Sequence, residues 1–396
     1  MFVRRVVNSI RDIWIILGIT LLIFAGLEIS LRIGFAITHS LHNTGEHPPA
    51  DFRFSSDVYQ NQDWAKDYFN EFDKSTGQEW HPYVYWHRKP FHGKYININD
   101  QGIRYTWNKS SAPSVQQVKI FMFGGSTMWG TGARDDFTIP SLVSQKLKAK
   151  GNSDVWITNF GESGFVSTQE LIALILELRK GHVPDIAVFY DGVNDTFAAL
   201  QSGAAGAGNP QNEKNRALEF NSKDQVLLAR KQLNWREGFV EKLAFYRFSQ
   251  LFVKPFNHFP PPAYSAESDQ NNDLNAANAV INIYFSNLRL IKSLAQSYGF
   301  SVVFYWQPTA HTKKFLSDWE KKQLNLYKEV SLYRQVHKVL KYKLATLKGD
   351  DFYDLSSAFD DNNETVFIDP FHISEAGNNK IADLIVQTLP EKILRK

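Results

Sequence analysis

The stretch Ile120–Gly132, IFMFGGSTMWGTG, carries a run of apolar residues directly into two glycines and a serine. Such a run is typical of a buried strand, and glycines directly after it allow a tight turn. Three kinds of site end a strand in this way: a phosphate cradle, a nucleophilic serine or a plain turn. A Walker-type cradle needs Gly-Lys-Ser/Thr, and a dinucleotide fingerprint needs a third glycine at fixed spacing. Neither is present, so a nucleophile and a plain turn remain.

Strands alternate with helices on both sides of that stretch. Apolar segments predict strands at Val118–Phe123, Val155–Asn159, Ile186–Tyr190 and Val302–Trp306, and a fifth within Ala345–Leu355. Helices are predicted at Ile139–Lys150, at Glu170–Lys180 behind a capping box at Ser167–Glu170, before Gly299, and at Ser374–Leu389. This alternation predicts a parallel sheet covered on both faces, a three-layer α/β/α domain. Active sites lie at the carboxyl ends of such strands, where Ser126 stands.

The N-terminal segment Ile13–Ile37 is apolar except for Glu28, Arg32 and a few small polar residues. Its length of roughly 25 residues exceeds the ~20 that a transmembrane helix needs. Three arginines precede it: Arg4, Arg5 and Arg11. The positive-inside rule therefore predicts a single-pass anchor with a cytoplasmic N-terminus and the remainder outside, in the periplasm or at the outer face. The alternative is a cleaved signal peptide, which has a shorter apolar region and a small-residue cleavage site.

The composition changes along the chain predict its organisation. We expect a cytoplasmic tip and anchor at 1–40, a linker and small N-terminal extension at 41–115, and a hydrolase-type domain at 116–396 with a variable insertion at about 197–275. The extension shows strand-like alternation at Lys94–Asn99, and the insertion is loop-like apart from a helix predicted near Trp235–Phe252.

Composition and charge exclude several classes of protein. With 43% hydrophobic and 21% charged residues, the chain has the composition of a folded protein. The net charge is +3 and no long Lys/Arg block is present, so we expect no nucleic-acid partner. There are no cysteines, which excludes disulfides, thiolate metal sites and iron–sulfur clusters. No cluster of metal ligands accompanies the serine, and we expect neither a metal nor another cofactor.

A nucleophilic serine needs a base, a group that orients the base, and donors for the oxyanion. The sequence DPFH at Asp369–His372 places an aspartate three residues before a histidine, just before the final predicted helix. Such an aspartate can hold the imidazole Nδ1 and leave Nε2 for the serine. Two other strand ends, NFGESG at Asn159–Gly164 and DGVND at Asp191–Asp195, offer glycine N–H groups and an asparagine amide as oxyanion donors.

These four blocks resemble, in type and order, those of the SGNH (GDSL-like) hydrolases: Gly124-Gly125-Ser126, Gly164, Gly192-Val193-Asn194-Asp195 and Asp369-x-x-His372. The resemblance runs from about Lys119 to the C-terminus without 197–275 and implies a flavodoxin-like, five-stranded parallel sheet. It implies that Ser126 is the nucleophile, His372 the base and Asp369 its orienter, with oxyanion donors from Ser126 N–H, Gly164 N–H and the Asn194 side chain.

The chain departs from the family pattern at Gly125, where an aspartate is usual, although membrane-anchored bacterial members often have Gly-Gly-Ser. Met128 stands where the nucleophile elbow of α/β-hydrolases has glycine, which argues against that fold.

The triad and the outward-facing anchor favour a serine esterase that removes acyl groups, such as acetyl, from a cell-surface or exported carbohydrate. The alternatives are an O-acetyltransferase with the same residues, a lipase or lysophospholipase, and a non-catalytic assembly component, against which the complete triad argues. Four residues beside the motifs are candidates for substrate contacts: Trp129, Tyr190, Asp195 and Trp306. The aromatic ones could stack on sugar rings; the alternative for each is ordinary core packing.

Overall fold

The computed structural model describes residues 2–42, 51–108, 117–151, 154–202, 205–206, 208, 270–326, 330–346 and 351–390. The chain divides into two units, Met1–Pro48 with Arg216–Pro260, and Pro49–Asn215 with Pro261–Lys396. The helix predicted near Trp235–Phe252 and most of the predicted insertion lie outside the described residues.

The described part of the first unit is one helix, α1 (Phe2–His42). Its segment Ile10–Ile33 has a mean hydropathy of 2.2 and no buried residues. The hydroxyls of Thr20 and Ser30 donate to carbonyls four residues earlier, and Arg32 pairs with Glu28 at 2.8 Å, so these polar groups are satisfied within the helix. The segment is long and apolar enough to span a membrane or to act as a signal anchor.

Residues 51–108 open the second unit with small elements. They are the 3₁₀ turns Phe52–Ser55 and Asp57–Tyr59, helix α2 (Ala65–Lys74), the antiparallel pair β1 (Gln78–His81) and β2 (Tyr85–Arg88), and the antiparallel pair β3 (Phe91–His92) and β4 (Asn97–Ile98). Tyr68, Phe69 and Phe72 of α2 pack with Trp129 and Ile368 of the remaining part of the unit. The domain boundary near residue 115 stays a prediction, but these residues share a core with residues on both sides of the sheet's first strand in sequence.

The central sheet contains five parallel strands: β5 (Val118–Gly124), β6 (Val155–Asn159), β7 (Ile186–Asp191), β8 (Ser301–Trp306) and β9 (Phe352–Asp354). Their order is β6-β5-β7-β8-β9. This is the flavodoxin-like order, in which the chain reverses direction across the sheet between β6 and β7. The predicted fold class is confirmed, and the five strands lie in the segments that the sequence indicated.

The helices of this unit connect or follow the strands: α3 (Ser126–Trp129), α4 (Ile139–Ala149), α5 (Ser167–Arg179), α6 (Val193–Ser202), α7 (Gln270–Tyr298), α8 (Asp318–Leu326), α9 (Val330–Thr346) and α10 (Glu375–Thr388). Side-chain caps begin two of them, because Thr138 accepts from the Ser141 N–H before α4 and Ser374 accepts from the Gly377 N–H before α10. The sequence did not predict α3, α6, α8 and α9, and α6 extends to Ser202, into the segment expected to be loop-like from residue 197.

Alternate residues of the strands point to two separate cores. Phe123, Phe189 and Phe304 pack with apolar residues of α5, α7 and α9. Met122 and Val188 belong to the other core, together with apolar residues of α4 and α10. Each fully buried side chain of this size stabilises the fold by roughly 1.5–3 kcal/mol. Helices therefore cover both faces of the sheet, as the three-layer prediction requires.

The start of α5 differs from the predicted capping box. Val166, not Ser167, occupies the N-cap position, and a valine side chain cannot accept a hydrogen bond. The Gln169 side chain still accepts from the Val166 N–H at 3.2 Å. Ser167 instead lies in the first turn, where its hydroxyl donates to Asp195 at 2.5 Å. The prediction was wrong because this serine is used in a contact with α6.

Candidate active site

Ser126 lies where β5 ends and is the first residue of the short helix α3. Its Oγ is 2.6 Å from Nε2 of His372, a residue 246 positions away in sequence. Both side chains are half-buried. The hydroxyl of Ser126 is therefore within hydrogen-bond distance of a base, as a nucleophile requires.

Asp369 contacts the Phe371–His372 segment with both carboxylate oxygens. Oδ1 accepts from the backbone N–H groups of Phe371 and His372 at 2.9 and 2.8 Å, and Oδ2 lies 2.6 Å from Nδ1 of His372. Burial alone would raise the pKa of this carboxyl, but His372 and Arg53 outweigh it and hold the pKa well below its usual value. An ionised carboxylate can only accept, so Nδ1 carries the proton and Nε2 is left to accept from Ser126.

The two other predicted oxyanion residues lie at the same cavity as Ser126. Gly164 has a φ of +81°, a conformation that side chains other than glycine rarely adopt. The preceding carbonyl, of Ser163, accepts from the indole of Trp86 at 3.0 Å, which fixes this turn. The amide of Asn194 donates to the Phe165 carbonyl at 2.8 Å. An amide has two N–H groups, and the bonds of the described residues use only this one.

Gly125 has a close neighbour that explains the departure from the family pattern. A Cβ at this position would overlap the amide nitrogen of Asn194. The usual aspartate would therefore fit only if Asn194 moved. Glycine here lets the Asn194 amide approach the backbone just before the nucleophile.

The cavity beside Ser126 has a volume of about 470 Å³ and is lined by the triad, Gly164 and Asn194 with polar and aromatic neighbours. Four of those neighbours come from residues 51–108: Phe52, Arg53, Phe72 and Arg88. A larger cavity of about 1260 Å³ lies along the edge strand β6 and contains none of the triad residues.

The arginines of residues 51–108 form a stack with two aromatic rings. Arg53 and Arg88 lie 5.0 and 5.6 Å from the centroid of the Phe72 ring. Arg88 also lies 4.3 Å from Trp129, and Arg104 lies 4.2 Å from the same ring. These contacts are cation–π interactions, worth about 2 kcal/mol or more when desolvated. Sequence analysis missed these residues, whose only signal was the frequency of arginine and aromatic residues in this region.

The four predicted substrate contacts are buried, and none of them lines the cavity of Ser126. Trp129 and Tyr190 are 0% exposed, Asp195 is 2% and Trp306 is 5% exposed. Trp129 lies between two guanidinium groups, and Asp195 accepts from the N–H and the hydroxyl of Ser167. The prediction of sugar stacking was wrong, because these side chains belong to the core, which was the alternative for the aromatic ones.

An acidic cluster lies in the core next to Asn194. Glu170, Asp191 and Asp195 are buried, and the Asp191 side chain interacts with those of Glu170 and Tyr284. Burial, with the charge of Asp195, raises the pKa of Asp191 to about 7, and burial together with Asp191 raises the pKa of Glu170 well above its usual value. Near neutral pH the folded protein therefore holds a proton here that an ordinary carboxyl would lose.

This cluster predicts that acid stabilises the fold. An unfolded aspartate has a pKa of about 3.9, so between about pH 4 and pH 7 only the folded state keeps the Asp191 proton. The stabilisation that this proton gives the folded state is complete below about pH 4. It is lost as the pH rises through about 7. The unfolding temperature of the full-length protein in detergent should therefore fall with rising pH more steeply than that of Asp191→Asn. Parallel curves for the two proteins would contradict this.

The fold and this geometry define a three-layer α/β/α domain in which a serine at the end of β5 contacts a histidine, and through it an aspartate, from the turn before α10. The model of the GDSL-like lipase/acylhydrolase family matches residues 120–385, more than half of the chain. The chain therefore belongs to that family, and it is an ester-hydrolysing enzyme. This confirms the resemblance seen in the sequence.

Comparison with curated proteins finds no match. Among solved structures, similar ones include the acetyl xylan esterase AlAXEase (15% identity, TM-score 0.36, covering 69% of this chain and 100% of that one). Another is the lipase Lip_vut3 from a goat rumen metagenome (12% identity, TM-score 0.40, covering 69% of this chain and 98% of that one). A third is the acetylxylan esterase Axe2 from Geobacillus stearothermophilus (14% identity, TM-score 0.34, covering 70% of this chain and 96% of that one).

Proposed function

We propose that the protein is a serine esterase that removes O-acyl groups, above all acetyl, from a cell-surface or exported carbohydrate. One observation carries the catalytic part of this proposal: the continuous chain from Ser126 Oγ to His372 Nε2 and from His372 Nδ1 to Asp369 Oδ2, with 2.6 Å at each contact. Ser126 is the nucleophile, His372 the general base and Asp369 the orienting carboxylate.

In the first half-reaction, Ser126 Oγ attacks the ester carbonyl while His372 Nε2 takes the hydroxyl proton. The carbonyl oxygen becomes an oxyanion, which accepts from the N–H groups of Ser126 and Gly164 and from the Asn194 amide. The intermediate then collapses: the ester C–O bond breaks, and His372 returns the proton to the leaving alcohol. The acyl group remains on Ser126.

In the second half-reaction, water replaces the alcohol beside His372. Nε2 takes a proton from the water as its oxygen attacks the acyl carbonyl, and the same three donors bind the second oxyanion. Collapse releases the carboxylic acid and returns the proton to Ser126. If a sugar hydroxyl takes the place of water, the same steps give acyl transfer, so access of water to the acyl-enzyme separates esterase from transferase.

Two features support a carbohydrate as the alcohol part of the substrate. The cavity of about 470 Å³ is in the size range of sites for small molecules. Its lining includes the half-buried Gln201, whose amide suits sugar hydroxyl groups. The length and apolar character of α1 support a location at a membrane, next to exported glycans.

The substrate is tested by measuring acid release from a matched panel: acetylated xylan and other acetylated glycans, p-nitrophenyl esters, and phospholipids. The proposal expects acetate release from a glycan, none from Ser126→Ala, and little hydrolysis of phospholipid. Preferred hydrolysis of phospholipid would instead assign a lipase, and acetyl transfer to an added oligosaccharide in excess of hydrolysis would assign a transferase.

We propose that α1 anchors the protein in a membrane, with the N-terminus in the cytoplasm and the catalytic unit on the outer side. The proposal rests on α1 and on the arginines that precede Ile13. The full-length protein should then stay in the membrane fraction after carbonate washing, and protease added to intact spheroplasts should digest the catalytic unit. A processed protein in the culture fluid that begins near residue 38 would contradict the anchor.

Loss of the Asn194 amide should slow the reaction without weakening substrate binding. Removing one oxyanion donor usually lowers kcat by about 10²–10³. We expect this loss for Asn194→Ala, with a small change in KM. Asn378→Ala is the control, since Asn378 also donates to a backbone carbonyl, that of Phe137 at 3.0 Å, but is fully buried and does not line the cavity. A change confined to KM would assign Asn194 to substrate binding.

A further inference from the structure

Asp369 has a second basic neighbour besides His372. Nη1 of Arg53 lies 3.4 Å from Oδ2, the carboxylate oxygen that also faces His372 Nδ1. Arg53 is 316 residues away from Asp369 in sequence and lies outside the family-matched residues 120–385. The carboxylate of the triad is therefore shared between its histidine and an arginine supplied by the N-terminal extension.

The guanidinium of Arg53 is held on three sides. Asp51 accepts from its Nε at 2.9 Å and from its backbone N–H at 3.0 Å. The Phe72 ring lies 5.0 Å from its Cζ, and Asp369 lies on the third side. The side chain is only 14% exposed, so water screens this pair much less than a surface ion pair. A group fixed in this way keeps its direction while the neighbouring histidine gains and loses a proton.

We propose that Arg53 is a positioning residue of the catalytic triad, which holds the Asp369 carboxylate in the orientation that His372 needs. The inference rests on the proposed function and adds to it a residue from outside the hydrolase domain. Each oxygen of Asp369 then has two neighbours: two backbone N–H groups for Oδ1, and His372 and Arg53 for Oδ2. Rotation of the carboxyl would break contacts on both sides.

The positive charge of Arg53 should also change the pH dependence of the reaction, which a purely structural residue would not do. Among the described residues, the side chains that contact the His372–Asp369 pair are Ser126 and Arg53, with Asp51 behind Arg53, and the buried Tyr59 hydroxyl interacts with Asp369 at longer range. A positive charge next to the pair opposes a second positive charge on the imidazole. Removal of the guanidinium should therefore favour the protonated imidazole, which cannot accept the serine proton, and move the acid limb of the kcat/KM profile to higher pH.

The test compares Arg53→Gln and Arg53→Lys with the full-length wild type in detergent. A charge-assisted contact of this kind predicts a loss in kcat of about 10- to 100-fold for Arg53→Gln, with little change in KM. The acid limb of the kcat/KM profile of Arg53→Gln should move to higher pH. Arg53→Lys keeps the charge and should therefore keep the wild-type acid limb. In an Asp369→Asn background, Arg53→Gln should cause almost no further loss, because both changes remove the same contact.

Arg134→Gln is the matched control. Arg134 also pairs with a carboxylate, Glu375 at 2.8 Å, and also lies on an aromatic ring, Trp64 at 4.1 Å, but it does not line the cavity. It should keep the wild-type kcat and pH profile. If Arg53→Gln folds and keeps the wild-type kcat and acid limb, the inference is overturned. The proposed function would still stand as long as Ser126 is essential. If Arg53→Lys lowers kcat as much as Arg53→Gln and neither variant shifts the acid limb of the kcat/KM profile, Arg53 has only a structural role.

Discussion

Ser126→Ala should lower kcat by a factor on the order of 10⁶, the loss that follows removal of the nucleophile from a serine triad. Alanine has no oxygen to attack the ester, and in the described part of the chain Ser126 is the one hydroxyl within hydrogen-bond distance of His372 Nε2. His372→Ala should cause a similar loss, because the serine hydroxyl is a weak nucleophile until a base takes its proton. Activity is measured as acid release, with the variants compared at equal folded concentration.

The double variant decides whether the two residues act as one unit. Ser126→Ala with His372→Ala should be scarcely slower than either single variant, because each single change already removes the whole function of the pair. Ser144→Ala is the control, a buried serine whose hydroxyl contacts the Asn108 side chain and does not line the cavity. Folded Ser126→Ala with near wild-type turnover would contradict the triad.

Asp369→Asn should lower kcat by up to about 10⁴-fold, the second largest effect that we expect. The carboxylate accepts from Nδ1 at 2.6 Å, whereas an amide nitrogen placed there would donate. The imidazole would then carry its proton on Nε2, where it cannot accept from Ser126. The loss should lie in kcat with little change in KM, because Asp369 orients the base and does not bind the substrate in the proposed mechanism.

A surface pair provides the control for this change. Asp361 pairs with Lys380, but its side chain is 75% exposed and it does not line the cavity. Asp361→Asn should leave kcat and KM unchanged. Equal losses for Asp361→Asn and Asp369→Asn would indicate a general effect on folding, and full activity of Asp369→Asn would remove the orienting role.

The sheet could be predicted from the sequence because its signals are local. Ile120–Phe123 is an unbroken apolar run that leads into glycines, and Val155–Asn159 was predicted with the bounds that the structure shows. The spacing of Asp369 and His372 is also local, since the turn between them brings the carboxylate to the imidazole of the same short segment. Helix α9 had a local signal that was overlooked, since Leu332, Val336 and Leu340 recur every four residues.

The surroundings of the triad could not be predicted, because they depend on contacts between distant parts of the chain. Arg53 meets Asp369 across 316 positions, and no period or motif marks that contact. Trp129 stands three residues after Ser126, which suggested a substrate contact, but Phe72, Arg88 and Arg104 cover its ring. The packing of these aromatic and basic residues behind Ser126 becomes visible only in the structure of residues 51–108.

Reaction with a fluorophosphonate probe tests the central claim most directly, because only a serine activated by its base reacts quickly with it. The full-length protein should gain one covalent label, and peptide mapping should place it on Ser126. His372→Ala should prevent labelling, whereas Arg134→Gln should label like the wild type. Absence of a label on the folded, active protein, or a label on another serine, would contradict the assignment of Ser126 as the nucleophile.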